Sequence, residues 1–182
     1  MKQKYILLTI IFLSSFISMS YAQSGILSVA EYLKITQSSL SSISQTLKIK
    51  EYSLQYTKNM EDSRYPKDLK DIGWGYNLKY SNYLDDWEII NKGKKVAYFK
   101  VLYARDKPYM AKYCFSQLSI YNDFLKKLPL MGFIKETEEI DVATNTIKIE
   151  FINERTGDMI WLKEDTEDSI PYSIDWTNWK NE

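Results

Sequence analysis

Val96, Tyr98, Lys100 and Leu102 alternate with Ala97, Phe99, Val101 and Tyr103. Successive strand side chains point to opposite faces, so this run reads as a β-strand with a separate residue series on each face. The same period of two returns in Tyr109, Ala111, Tyr113 and Phe115, and in Ile147, Ile149 and Phe151. Tyr172, Ile174 and Trp176 repeat it, and shorter runs at Tyr52–Tyr56, Phe133–Glu138 and Met159–Lys163 add three more strands. Only two stretches switch to helical spacing. Val29, Leu33, Thr36, Leu40, Ile43 and Leu47 share one face of a predicted first helix, opened by a Ser28/Glu31 capping box. The pattern covers too few heptads for a coiled coil. Leu118, Tyr121, Leu125 and Leu128 predict a second helix, capped by Ser116 and ended by Pro129 and Gly132.

The predicted order is helix, four strands, helix, four strands. The expected fold class is therefore α+β: two tandem helix-plus-antiparallel-sheet units (αββββ twice), with the helices on one face of the sheet. The units span residues 23–115 and 116–182. Residues 58–84 carry no clean period and read as a loop or partly ordered insertion in the first unit. After it, Trp87–Ile90 and Lys95–Tyr103 are expected to pair as a hairpin through Asn91-Lys92-Gly93-Lys94.

The N-terminus suggests export. Lys2 and Lys4 precede an apolar run from Tyr5 to Ile17, and Tyr21-Ala22 closes a small-residue cleavage pattern. Residues 1–22 therefore read as a signal peptide, with a mature start at Gln23 and a periplasmic or secreted bacterial destination. An uncleaved anchor is the alternative. No cysteine near the cleavage site offers a lipoprotein attachment point. No later apolar stretch approaches the ~20 residues of a membrane span, so no integral span is expected after cleavage.

Composition narrows the chemistry. The chain has no histidine, which removes Ser-His-Asp and Cys-His catalysis and the commonest transition-metal ligand. No metal and no cofactor is expected. Lys plus Arg balance Asp plus Glu at 24 each, and losing Lys2 and Lys4 leaves 22 against 24. Without a basic excess, nucleic acid is not an expected partner. The single cysteine, Cys114, cannot form an internal disulfide and is expected as a small buried hydrophobe. Glu164, Asp165, Glu167 and Asp168 cluster, but without the spacing or glycine of an EF-hand they read as a solvated hairpin loop.

Ser39-Leu40 to Lys50, Trp87 to Tyr103, and Phe124 to Ile134 with its Met131-Gly132-Phe133 strand start resemble small exported α+β proteins of Bacteroidota. The predicted topology is also similar to that of the β-lactamase inhibitor protein, a tandem of helix-plus-four-strand units whose concave sheet receives an enzyme. That likeness is architectural. No residue motif carries over and both inhibitor cysteine pairs are absent, so it does not imply inhibition of a β-lactamase.

Trp74, Tyr76, Tyr80, Tyr83 and Trp87 are the candidate binding residues, because aromatics on an insertion offer large contact area at low entropic cost. The opposing expectation is that they fold back and cover the sheet. The functional reading is an exported, non-enzymatic binding protein of the cell envelope. Its ligand, a protein or a glycan, would meet the open sheet face and the Tyr/Trp-rich insertion. Two alternatives stand beside it. One is a carboxylate-based hydrolase built from Asp85-Asp86 and Glu138-Glu139. The other is an envelope-assembly factor that adds strands at a sheet edge, or an immunity-type protein inhibitor.

Overall fold

The computed structural model describes residues 25–60 and 66–181; the predicted signal segment, the Gln23 start and residues 61–65 lie outside the described residues. Among the described residues, three α-helices and ten β-strands follow in the order α1 (Val29–Ile35), α2 (Leu40–Ile49), β1 (Ser53–Asn59), β2 (Lys70–Tyr76), β3 (Leu78–Ser81), β4 (Asp86–Ile89), β5 (Ala97–Ala104), β6 (Lys107–Phe115), α3 (Leu118–Lys127), β7 (Ile134–Asp141), β8 (Thr146–Asn153), β9 (Asp158–Asp165) and β10 (Tyr172–Asn178). Short 3-10 turns occupy Pro129–Met131 and Trp179–Asn181. Eight strands form one antiparallel sheet in the order β1-β2-β5-β6-β10-β9-β8-β7, and β3 and β4 pair separately. The fold is α+β, dominated by this large antiparallel sheet.

The alternation in sequence decides which residues meet the helices. Phe99 and Val101 on β5, Tyr113 and Phe115 on β6, Ile174 and Trp176 on β10, and Ile160 and Leu162 on β9 join one buried cluster with Tyr32, Ile43 and Phe124 from the helices. Full burial of such a side chain contributes roughly 1.5–3 kcal/mol. Tyr32 lies where β6 meets β10. Its hydroxyl donates to the carbonyls of Ala111 (3.2 Å) and Ile174 (3.1 Å), and its ring contacts Tyr113 and Phe124. A buried phenol needs a partner, and here it finds one on each of the two central strands.

Several local features depart from the sequence reading. The first predicted helix is two helices. Thr36 Oγ1 donates to the Leu33 carbonyl and Ser38 Oγ to the Lys34 carbonyl, so hydroxyls compete for backbone groups at the point of the break. Ser39 then caps α2, as Ser28 and Glu31 box α1. Within the predicted insertion, β1 continues to Asn59 and β2 and β3 are regular strands. Finally, the expected hairpin between Trp87–Ile90 and Lys95–Tyr103 does not form. β4 pairs with β3, and β5 pairs with β2.

The glycines of β2 explain why β3 and β4 fold back over the sheet. A Cβ on Gly73 would stand 2.3 Å from the Tyr56 ring; one on Gly75 would stand 2.7 Å from the Leu78 carbonyl oxygen and 3.0 Å from the Trp87 ring. Ile72, Trp74 and Tyr76 fill one face of β2, while the bare glycines on the other let a second layer approach closely. Ser116, the predicted cap of α3, instead exchanges hydrogen bonds with Val96, and Gln117 precedes the helix without a side-chain cap.

Candidate functional site

The sheet face away from the main core can be reconstructed from the strand register, since directly paired residues share a face. Across β5, β6, β10, β9, β8 and β7 one row reads Leu102, Met110, Thr177, Met159, Ile152, Ile134. All six are at least partly exposed. The next row reads Lys100, Lys112, Asp175, Trp161, Glu150, Thr137, and the third Tyr98, Cys114, Ser173, Lys163, Lys148, Glu139. An apolar stripe therefore runs beside a charged one.

The second and third rows have unusual neighbours. Lys100 stands directly opposite Lys112, and Lys148 opposite Lys163. Like charges in such positions repel. Carboxylates offset this repulsion: Asp71 lies 3.1 Å from Lys100, Asp175 lies 3.8 Å from Lys112, and Asp165 lies 3.0 Å from Lys163. Lys148 Nζ sits 5.7 Å from the Trp161 ring centroid, within cation–π range. Burial raises the pKa of Asp175 above the ordinary carboxylate value, although Lys112, Lys148, Lys163 and Lys100 all pull it down. Cys114 is buried in the third row, and its desolvated thiol is pushed up to about 12. It is therefore an inert packing group at neutral pH.

The β3–β4 hairpin stands on this same face at the β1–β2 end. Trp87 stacks on Tyr98 with centroids 4.7 Å apart, and Tyr80 lies 4.3 Å from Tyr56 and 5.3 Å from Trp87. Each ring pair contributes about 1 kcal/mol beyond its buried area. Leu78, Val96, Cys114 and Ile170 complete a small second core beneath the hairpin. At its outer end Lys58 Nζ donates to Tyr80 Oη and to Asp85 Oδ1, both at 2.6 Å, and Tyr80 Oη also donates to Asp85.

The five aromatic candidates are thus divided. Trp74 is only 3% exposed and belongs to the main core. Tyr76 packs against that core from a half-buried position. Tyr80 and Trp87 are half-buried in the hairpin's own cluster. Tyr83 is 95% exposed at the hairpin tip. Period-two spacing alone separates Trp74 and Tyr76 from the loop residues, because Ile72, Trp74 and Tyr76 alternate with glycine. Trp161, Met110, Met159 and Asp175 were not singled out in the sequence. Their signal was a lysine or carboxylate recurring within otherwise apolar alternations, which marks the outer side of each strand.

Among the described residues, no group of three or more His, Cys, Asp or Glu side chains is placed to hold a metal ion. Asp165 and Asp168 accept backbone N–H groups of Glu167 and Ile170 within their own turn. Of the predicted carboxylate pairs, Asp85 is engaged by Lys58 and Tyr80, and Glu138 forms an ion pair with Lys135. No described helix is long and apolar enough to cross a membrane. No protein-family model, curated protein or solved structure matches the chain.

Proposed function

We propose that this is an exported, non-enzymatic binding protein of the cell envelope, with a protein as its ligand. The observation that carries the reading is the juxtaposition on one sheet face of an apolar stripe, a charged row and a raised aromatic hairpin. An apolar strip gives area and the adjacent charges give orientation, the combination found where proteins meet proteins. Tyr83, at the exposed hairpin tip, would extend the contact beyond the sheet.

The architecture is read as two tandem αββββ units, residues 23–115 and 116–182, joined edge to edge through β6 and β10. The strand order supports this. Outward from the central pair it runs β6, β5, β2, β1 on one side and β10, β9, β8, β7 on the other. The helices then pack on one face and leave the opposite face for the ligand.

The test is affinity capture from an envelope fraction with the wild-type protein and with Met110→Asp/Met159→Asp, accompanied by a glycan array. Capture of a discrete protein by the wild type, lost in the double variant, is the expected result. Glycan binding without protein capture, or capture unchanged in the variant, overturns the reading.

A further inference from the structure

The β7 edge carries a second surface, independent of the open face. All eight residues of Ile134–Asp141 are exposed, and among the described residues β7 pairs on one side only, with β8. At about 3.3 Å per residue it offers roughly 26 Å of strand edge with unpaired backbone groups. The other edge strand, β1, has its side chains engaged by the β3–β4 hairpin: Gln55 Oε1 accepts the Tyr80 backbone N–H at 3.2 Å, and Lys58 is tied to Asp85.

The chemistry of β7 specifies what could lie beside it. Glu136, Glu138, Glu139 and Asp141 outnumber the basic residues beside them: Lys135, which is bound to Glu138, and Lys148 on β8, which stands opposite Glu139. Glu150 on β8 adds a further carboxylate, accepting from Thr137 Oγ1 at 3.3 Å. A second copy of this strand would set carboxylates against carboxylates, so the charge works against self-pairing. The apolar residues are exposed too: Ile134 by 57% and Ile140 by 65%, with Leu130 and Val142 just beyond the strand ends. Open recesses border both ends of the strand. One, of about 510 Å³, is lined by Leu130, Met131 and Ile134, and the other, of about 340 Å³, by Glu139, Asp141, Asp165, Lys148 and Lys163.

We propose that β7 receives an extended protein segment as a ninth strand, and that this segment alternates basic with apolar residues. Main-chain hydrogen bonds would give the added strand its register. Its Lys or Arg side chains would lie beside Thr137, Glu139 and Asp141 on one face, and its apolar ones beside Ile140 on the other.

The probe is a capped eight-residue peptide alternating lysine and valine, compared with one alternating glutamate and valine. Binding to the full chain is followed by titration and by amide hydrogen exchange. The lysine peptide is expected to slow exchange within 134–141, leave 53–59 unchanged, and bind roughly tenfold more weakly to Glu139→Lys/Asp141→Lys. That variant should in turn gain affinity for the glutamate peptide. Thr137→Pro should abolish the protection, because proline removes a backbone donor; the charge reversal tests the same point should the proline variant misfold. The proposal is overturned by absence of protection in 134–141, by binding indifferent to the charge reversal, or by protection that arises from dimerisation without peptide.

Discussion

β1 and β7 are the two edges of one sheet, and each carries a register irregularity near its start. They differ in what lies against them. β1 is roofed by a hairpin that grows out of its own half of the chain, whereas β7 has solvent on both faces and along its free edge. Glycine makes the difference. Gly73 and Gly75 let Tyr56, Leu78 and Trp87 descend onto β2, while β8 and β9 present Lys148, Glu150, Trp161 and Lys163 at the corresponding positions of the face. A strand edge can be protected by covering it or by charging it. Here the hairpin packs on the side chains of β1 at one end, and carboxylates crowd β7 at the other.

The strongest way to break the comparison is to deny the hairpin its seat. Gly73→Val places branched methyls where the Tyr56 ring lies and should cost about 2–3 kcal/mol, the range of core overpacking. Urea denaturation measures the loss. Adding Tyr56→Ala should recover part of it, since residues in contact are not additive. A fully additive double variant would mean that the ring and the glycine are not coupled.

Trp87→Ala should come next. Truncating a buried tryptophan costs about 3–5 kcal/mol, and a half-exposed one about half of that. The informative readout is local. Amides of 78–81 and 86–89 should exchange faster, while those of β9 and β10 keep their protection, because the hairpin forms a separate small core. Uniform acceleration across both halves would show the hairpin to be part of one cooperative unit with the sheet.

Much of this layout was legible in the sequence, and the exceptions share a cause. β5, β6, β8, β9 and β10 follow from period-two alternation, and α3 from its three-and-four spacing. The capping box at Ser28 and Glu31 forms as written. β2 was obscured because its outward positions are glycine, which lowers strand propensity, and the reason for those glycines lies in contacts some distance along the chain. The partner of Trp87–Ile90 differs from the sequence expectation for a similar reason. Asn91 to Lys94 has turn composition, but Tyr80 and Trp87 find each other across the β3–β4 register. The helix break at Thr36–Ser39 has the same local origin as a cap: hydroxyls that bond the backbone. For the candidate site, composition identified the aromatics but could not place them on a common face. That required the register.

Midway between the two ends, Asp175 offers a pH test of the open face. Burial raises its pKa in the folded protein, so the folded state holds this proton more tightly than the unfolded state. The group's contribution to stability is then fully present below the ordinary carboxylate range and is lost as pH rises through the raised folded value. Asp175→Asn should therefore stabilise the protein at pH 7 and make little difference at pH 3, as read from urea midpoints at the two pH values. A variant less stable at pH 7 would mean that attraction to Lys112 and its neighbours outweighs the burial of the carboxylate.

The smallest effect is expected at β7, and its smallness is informative. Ile140→Lys replaces an exposed side chain on a strand that contributes little buried surface, so global stability should stay within about 0.5 kcal/mol. Phe151→Ala on the neighbouring β8 removes a core ring and should cost about 3–5 kcal/mol. If Ile140→Lys instead destabilised the chain as Phe151→Ala does, β7 would be supporting the core and its exposed apolar residues would need no partner. If it leaves stability intact but weakens binding of the lysine–valine peptide, the apolar residues of β7 serve an interaction and not the fold. The contrast between the two edges then becomes one of role: β1 supports its own hairpin through its side chains, and the apolar residues of β7 serve another chain.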